Sequence, residues 1–195
     1  MIGMRKLALG ILGSGKGSNC RAILEQIRAG KLAAEARLVV SDVFGAGILD
    51  IAHEFGVPNA YLPPGKFRTR LEPAVEVELV KMLREAGVEL VVLAGFMRVL
   101  KEPMLEAFPR GIINLHPSLL PKFPGIEAWA QALDAGEKVT GCSVHYVDAG
   151  IDSGEIIAQR KVAILPNDTP ESLHARIQIA ERELYPEVIA QFAAA

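Results

Sequence analysis

Asn114 and His116 stand two residues apart in the stretch Ile112-Ile113-Asn114-Leu115-His116-Pro117-Ser118. Along a strand, residues i and i+2 point to the same face, and Pro117 stops regular pairing just beyond. An amide and an imidazole therefore project side by side from a strand end. The pair suits chemistry at a carbonyl, where the amide donates an N–H to an oxygen gaining charge and the imidazole donates a proton. A second polar group lies in the turn Asp148-Ala149-Gly150-Ile151-Asp152. A carboxylate beside an imidazole favours its charged form, so Asp152 is expected to raise the His116 pKa and make it a general acid near neutral pH. A third group, Met97-Arg98, follows the apolar run Leu90 to Ala94.

Nucleophilic catalysis fits less well. Ser118 lies near His116, but Pro117 and the lack of a Gly-x-Ser-x-Gly elbow argue against a hydrolase. His145 and His174 are too scattered to suggest a metal cluster, and no metal is expected. Direct transfer between two bound substrates is the chemistry this set predicts. Each residue taken alone has an ordinary explanation: a capped structural histidine for His116, a turn former for Asp152, a surface ion pair for Arg98, a solvated helix charge for Glu181. Their joint occurrence favours a site.

A glycine-rich turn precedes these groups. Gly13-Ser14-Gly15-Lys16-Gly17-Ser18-Asn19 joins an apolar strand, Lys6 to Leu12, to a helix over Ala22 to Ile27 that Ser18 or Asn19 would cap. Free backbone N–H groups and the helix dipole favour an anion at such a junction. Neither the phosphate-loop consensus nor the dinucleotide fingerprint is met, since positions 13, 15 and 18 read Gly, Gly, Ser. A phosphate monoester is the better expectation, with a plain tight turn as the alternative.

The elements that must carry these groups alternate. Strands are expected over Glu35 to Ser41, Asn59 to Leu62, Leu90 to Ala94 and from Ile112. Helices are expected over Ile48 to Phe55, Pro73 to Glu85 with Val77, Val80 and Met82-Leu83 inward, Met104 to Phe108, and Ile126 to Ala135. Alternation of this kind predicts a mostly parallel twisted sheet with helices on both faces, a Rossmann-like α/β fold. Thr140 to Val147 and Ile156 to Val162 look like an antiparallel pair added at the edge. A last helix starts at Pro170, capped by Asp168 or Thr169, and runs past His174, Ile177 and Glu181 toward Tyr185, where Pro186 is expected to bend it or begin a new segment.

With 195 residues, half of them apolar, the chain suits one domain with a sizeable core. A net charge of −2 provides no general basic field, so no nucleic-acid partner is expected. The apolar runs are too short to cross a bilayer, and the N-terminus reads as strand and loop rather than a leader, so no membrane partner is expected either. Cys20 and Cys142 are distant from each other and read as two buried thiols in a reducing cytoplasm.

Five segments in order carry a resemblance: Gly15-Lys16-Gly17-Ser18-Asn19, Leu93-Ala94-Gly95-Phe96-Met97-Arg98, Asn114-Leu115-His116-Pro117-Ser118-Leu119-Leu120-Pro121, Gly141-Cys142-Ser143-Val144-His145, and Asp152-Ser153-Gly154. From about Lys6 to Ile189 the chain closely resembles the phosphoribosylglycinamide formyltransferase family, within the folate-dependent formyl-transfer superfamily. The resemblance implies one formyltransferase domain over 1–195, with a nucleotide-binding part over about 1–100 and a folate-binding and catalytic part over about 95–195. It implies transfer of formyl from 10-formyltetrahydrofolate, as co-substrate, to the amine of glycinamide ribonucleotide, by a monomer or homodimer. Gly15, Gly17, Ser18 and Asn19 match the phosphate loop, and Glu181 a carboxylate that holds the glycinamide end. Arg70 and Met97, Arg98, Val99 and Leu100 match folate contacts, and the backbone of Asp148, Ala149, Gly150 and Ile151 a loop that reads the pteridine. Asn114, His116 and Asp152 match the catalytic trio. Lys16 departs from related loops and makes the phosphate site more basic, and no role is assigned to Trp129.

Three other readings remain open at this level. A methionyl-tRNA formyltransferase typically reads Arg-Gly after Leu-Leu-Pro and adds a tRNA-binding domain, whereas Lys122-Phe123-Pro124-Gly125 follows here. A formyltetrahydrofolate deformylase usually adds an N-terminal regulatory domain. A nucleotide-sensing domain of the same fold would not need Asn114, His116 and Asp152 together.

Overall fold

The computed structural model describes residues 5–194. Its centre is a seven-stranded sheet of order β3-β2-β1-β4-β5-β6-β7. The strands are β1 (Leu7–Leu12), β2 (Ala34–Ser41), β3 (Asn59–Tyr61), β4 (Leu90–Leu93), β5 (Ile112–His116), β6 (Val139–Tyr146) and β7 (Ile156–Ala163). The first five run parallel, and β6 and β7 add antiparallel pairings at one edge. The expected α/β architecture is therefore present.

The central strands are apolar because both faces are covered. Alternate residues of β4 enter different cores. Leu90 and Val92 pack with Leu9, Ile11 and Ile113 under α1 (Ser18–Arg28), α2 (Gly47–Glu54) and α6 (Pro170–Ala194). Val91 and Leu93 pack with Val40, Leu79, Leu83 and Met104 under α3 (Pro73–Glu85) and α4 (Glu102–Ala107). A short α5 (Ala128–Asp134) follows β5.

Chain order reverses direction between β1 and β4, the neighbours at which the sheet switches from β1→β2 to β4→β5. In open α/β sheets the crevice beyond such a switch point is where ligands bind. Gly13 to Gly17 leaves β1 at that end, and Gly95 to Leu100 leaves β4 beside it.

Four local expectations differ from the structure. Helix α1 begins at Ser18, with Gly17 in the left-handed conformation as its cap and no side-chain cap. Neither Ser18 nor Asn19 caps it, because a positive φ of 80° already turns the chain into the helix. Val77 is exposed, and the buried stripe of α3 is Glu76, Leu79 and Leu83. The charged Glu76 sits in that stripe because its carboxylate accepts the Lys101 N–H at 2.6 Å, at the cap of α4. Helix α5 starts only at Ala128, since Glu127 takes a left-handed φ of 52°. No new segment begins at Pro186: helix α6 continues past it to Ala194, and the proline is buried against the core.

Buried Tyr185, just before that proline, directs its O–H between the carbonyls of Leu93 (2.9 Å) and Ile113 (3.0 Å). One hydroxyl thus ties α6 to the ends of β4 and β5. Tyr185→Phe is expected to lower unfolding stability by roughly 1–2 kcal/mol, the cost of leaving buried acceptors short of a donor. Denaturant titration checks it, and an unchanged midpoint would remove this tie from the account.

Candidate active site

Cross-strand pairing brings the site together. Strand β5 pairs with β6 so that Asn114 lies opposite His145 and His116 opposite Ser143. The β6–β7 register slips between Val144 and His145, an irregularity that re-aims side chains. His145 is buried, and its Nε2 lies 3.2 Å from Asn114 Nδ2. Its Nδ1 lies 2.8 Å from the Tyr146 carbonyl. Nδ1 therefore carries an N–H donated to Tyr146, and Nε2 is turned toward Asn114. Sequence reasoning missed His145 as a site residue. Its only signal was the alternation of β6, which becomes legible once β6 is known to pair with β5.

Asp152 closes the cluster from the loop between β6 and β7. Its φ of 50° turns the carboxylate inward. Oδ2 lies 3.3 Å from His116 Nδ1 and accepts the Gly125 N–H at 2.9 Å. Oδ1 lies 3.4 Å from Asn114 Nδ2 and 3.6 Å from His145 Nε2. Burial alone would raise the Asp152 pKa. The His145 ring, the Gly125 N–H and His116 more than offset it and hold the carboxyl below its usual range. Asp152 thus contacts both of the other predicted catalytic residues.

His116 faces two acceptors. Nε2 lies 2.8 Å from the Phe123 carbonyl, and Nδ1 faces Asp152. A neutral ring has one N–H, and the shorter contact places it on Nε2. Protonation adds the Nδ1–H that Asp152 can accept. Burial nevertheless lowers the His116 pKa, with the Phe123 carbonyl and Asp152 opposing it in part. Asp152 acts in the expected direction, but desolvation outweighs it, so the expected net rise is absent.

A cleft of about 380 Å³ opens over this cluster, with Asn114, His116 and Asp152 in its wall. Met97, Ile126 and Ile151 stand exposed around it, an apolar rim suited to a flat ring system. Val99 and buried Leu100 line it too, as do Asp148 and Gly150. Asp148 Oδ1 accepts the Gly150 N–H (3.0 Å) and the Ser153 hydroxyl (2.7 Å), which shapes the turn. Ala149 lies outside the lining, and its carbonyl accepts from Lys101 Nζ at 3.5 Å. Arg98 turns inward, Nε donating to Asp42 at 2.6 Å. Arg70 is exposed, its guanidinium 4.3 Å over the Phe67 ring. Trp129 lines the cleft with its ring stacked flat on His174, centroids 3.6 Å apart.

At the other side of the switch point, Arg21 N–H is bonded to the Gly17 carbonyl at 2.9 Å. The N–H groups of Ser18 and Asn19 precede it and have no intrahelical partner, which suits an anion. A Cβ on Gly17 would lie 2.8 Å from the Ile48 backbone, whereas one on Gly15 would meet nothing within 4 Å. Lys16 is exposed in the same loop. Asn19 Nδ2 donates to Glu181 Oε2 at 3.1 Å, joining α1 to α6. Glu181 is buried, which raises its pKa, so it is no solvated helix charge. Asn19 Oδ1 is buried without a partner. Among the described residues, no cluster of three metal-ligating side chains has a geometry suited to an ion.

Comparison with known proteins agrees with this geometry. The family model described as formyl transferase matches residues 7–189. Phosphoribosylglycinamide formyltransferase of Bacillus subtilis is 42% identical over 96% of this chain and 94% of that protein. The trifunctional purine biosynthetic protein adenosine-3 of Drosophila pseudoobscura is 43% identical over 99% of this chain, and the chain spans 14% of that protein's length. Among solved structures, glycinamide ribonucleotide transformylase 1 from Symbiobacterium toebii superposes with a TM-score of 0.93 at 45% identity, covering 97% of this chain and 89% of the other.

The His116 ring is expected to titrate below the ordinary histidine value of 6.5. Asp152→Asn should lower that pKa further, because the carboxylate is one of two groups opposing burial. Since charging the ring is disfavoured in the fold, this contribution to stability is whole above 6.5 and is lost as pH falls through the folded pKa. NMR titration of the histidine ring protons reads the wild-type protein and the variant, and a rise in Asp152→Asn would reverse the assignment.

Proposed function

Because the chain belongs to the formyl transferase family, we infer that it transfers a formyl group from 10-formyltetrahydrofolate to the amine of glycinamide ribonucleotide. The products are formylglycinamide ribonucleotide and tetrahydrofolate, in de novo purine synthesis. One observation carries the reading: a helix start with free N–H groups and an amide–imidazole–carboxylate cluster flank the same switch point, the first at β1 and the second at β5 across β4.

The division of labour follows. Residues of about 1–100 hold the nucleotide, and those of about 95–195 hold the folate and do the chemistry. The N–H groups of Ser18 and Asn19 receive the phosphate, with Gly15 and Gly17 forming the loop and Lys16 adding charge. Glu181 and Asn19 hold the polar body of the nucleotide, and the orphaned Asn19 Oδ1 supports a ligand donor there. Met97, Val99, Leu100 and the 148–151 turn take the folate ring, and exposed Arg70 takes its acidic tail.

The donor supplies a formyl carbon bound to a nitrogen, and the nucleotide amine supplies the electron pair. Asn114 has one N–H engaged by His145 and only a long 3.4 Å approach to Asp152 for the second. That second N–H is free to meet the oxygen as it gains charge. His116, once protonated, is gripped by Asp152 and Phe123 and sets a positive charge beside the same oxygen. Asp152 stabilises the imidazolium and holds the ring in place. As the amine forms the new C–N bond and the donor's C–N bond breaks, His116 passes its proton to the departing nitrogen directly or through water, at the expense of one of those two bonds, and recovers one from the amine. The buried, unpaired thiols of Cys20 and Cys142 suit a cytoplasmic enzyme, acting as monomer or homodimer.

The test is a formyl-transfer assay with glycinamide ribonucleotide, beside initiator methionyl-tRNA and water-only controls. Product in the first alone is expected, and transfer only to tRNA or water would overturn the substrate assignment. His116→Ala and Asp152→Asn should each lower kcat by about 10²–10⁴ with nucleotide affinity retained. Wild-type turnover in His116→Ala would end the acid role.

The loop has its own test. Gly15→Val should weaken the nucleotide and spare both folate affinity and thermal stability, since the space before Gly15 is open. Gly17→Val should instead unfold the protein readily, because its backbone is left-handed and abuts Ile48. Equal weakening of both ligands in Gly15→Val would count against the phosphate role.

A further inference from the structure

Arg98 lies in the segment expected to contact folate, yet its side chain is spent inside the protein. Its Nε donates to Asp42 Oδ2 at 2.6 Å, and Nη1 donates to the carbonyls of Phe67 (2.9 Å) and Arg68. The Asp42 side chain is 2% exposed. The other oxygen of the same carboxylate accepts the Ser14 hydroxyl at 2.5 Å. Ser14 Oγ in turn accepts the Met97 N–H at 2.8 Å, and the Ser14 N–H donates to the Gly95 carbonyl at 3.0 Å. Ser14 belongs to the anion-binding loop, while Met97 and Arg98 belong to the cleft wall. Both contacts of the Ser14 hydroxyl therefore lead out of its own loop toward the folate side.

The far end of the chain of contacts is also part of the wall. Val99 N–H donates to the Thr69 carbonyl at 2.9 Å, and Arg70 bridges to Val99. Arg98, fixed by Asp42, thus grips the 67–70 segment through its backbone carbonyls. Breaking the middle of this path leaves a buried charge uncompensated, so it behaves as one unit.

We propose that Ser14, Asp42 and Arg98 are positioning residues that couple occupancy of the anion-binding loop to the shape of the folate cleft. An anion drawn onto the helix start pulls on the loop, Ser14 carries the displacement to Met97 and Asp42, and Asp42 carries it through Arg98 to Thr69 and Arg70. The two substrates then bind with positive cooperativity. Arg98 accordingly sets the position of the wall, and Arg70 is the guanidinium left to read an acidic tail. The inference rests on the two-substrate reading above.

The test uses an unreactive pair, tetrahydrofolate and glycinamide ribonucleotide, with calorimetric titration of each alone and in the presence of the other. In the wild-type protein, saturating nucleotide should tighten tetrahydrofolate about fivefold or more, and the reciprocal titration should give the same factor. Ser14→Ala should reduce that factor to below about twofold, with the melting temperature little changed. Asp42→Asn, which keeps the shape and drops the charge, should reduce it as well. A wild-type factor of one, or a Ser14→Ala factor equal to wild type, overturns the coupling while leaving the proposed reaction standing. Loss of coupling only in step with both single affinities and the melting temperature also overturns it, as the mark of a merely structural contact. Failure of the wild-type protein to bind either ligand would instead defeat the substrate assignment, and this inference with it.

Discussion

A buried carboxylate must be surrounded by donors or it will not stay charged. Asp152 meets that constraint with the Gly125 N–H on one oxygen, where His116 becomes a second donor once protonated, and with the Asn114 amide and the His145 ring beside the other. These groups come from β5, from the loop before α5, and from β6. The site is therefore the place where the antiparallel edge is joined to the parallel sheet. Shifting the β5–β6 register by one residue would send Asn114 and His116 to the opposite face from His145. The carboxylate would then be left buried and unpaired.

The same constraint explains why His116 rests neutral. Burial penalises its charge more than Asp152 and the Phe123 carbonyl relieve it. A ring with acceptors on both nitrogens can take up a proton that burial disfavours. Negative charge arriving in the cleft would offset that penalty and raise the ring's basicity.

Parallel-sheet topology supplies the second half of the argument. Because β1 and β4 are neighbours whose continuations diverge, their loops Gly13 to Gly17 and Gly95 to Leu100 lie beside one crevice. Buried polar groups fill the seam between them, Asp42 above all. Such groups persist where every donor and acceptor is met, and here the partners are parts of both ligand-facing segments.

Much of this was legible in local patterns. Helix α3 runs over Pro73–Glu85 as read, because a proline at its first position and a glycine just past its end mark both limits. The run from Leu90 and the Asn114–His116 spacing identified β4 and β5 and the polar groups at the end of β5, since period-two alternation is a property of one strand. Partner choice is a property of two. His145 became a site residue only through its place opposite Asn114, Glu76 entered a core only because the α4 cap lay within its reach, and Arg98 turned from the ligand side to Asp42. The net protonation of His116 was likewise out of reach, because burial is set by what packs around the ring. Residue order by itself determined the alternating elements, the anion-ready glycine turn and the types of group available for catalysis. Tertiary structure alone decided which of those groups meet, which are dry and which are free, because pairing and desolvation depend on contacts between distant parts of the chain.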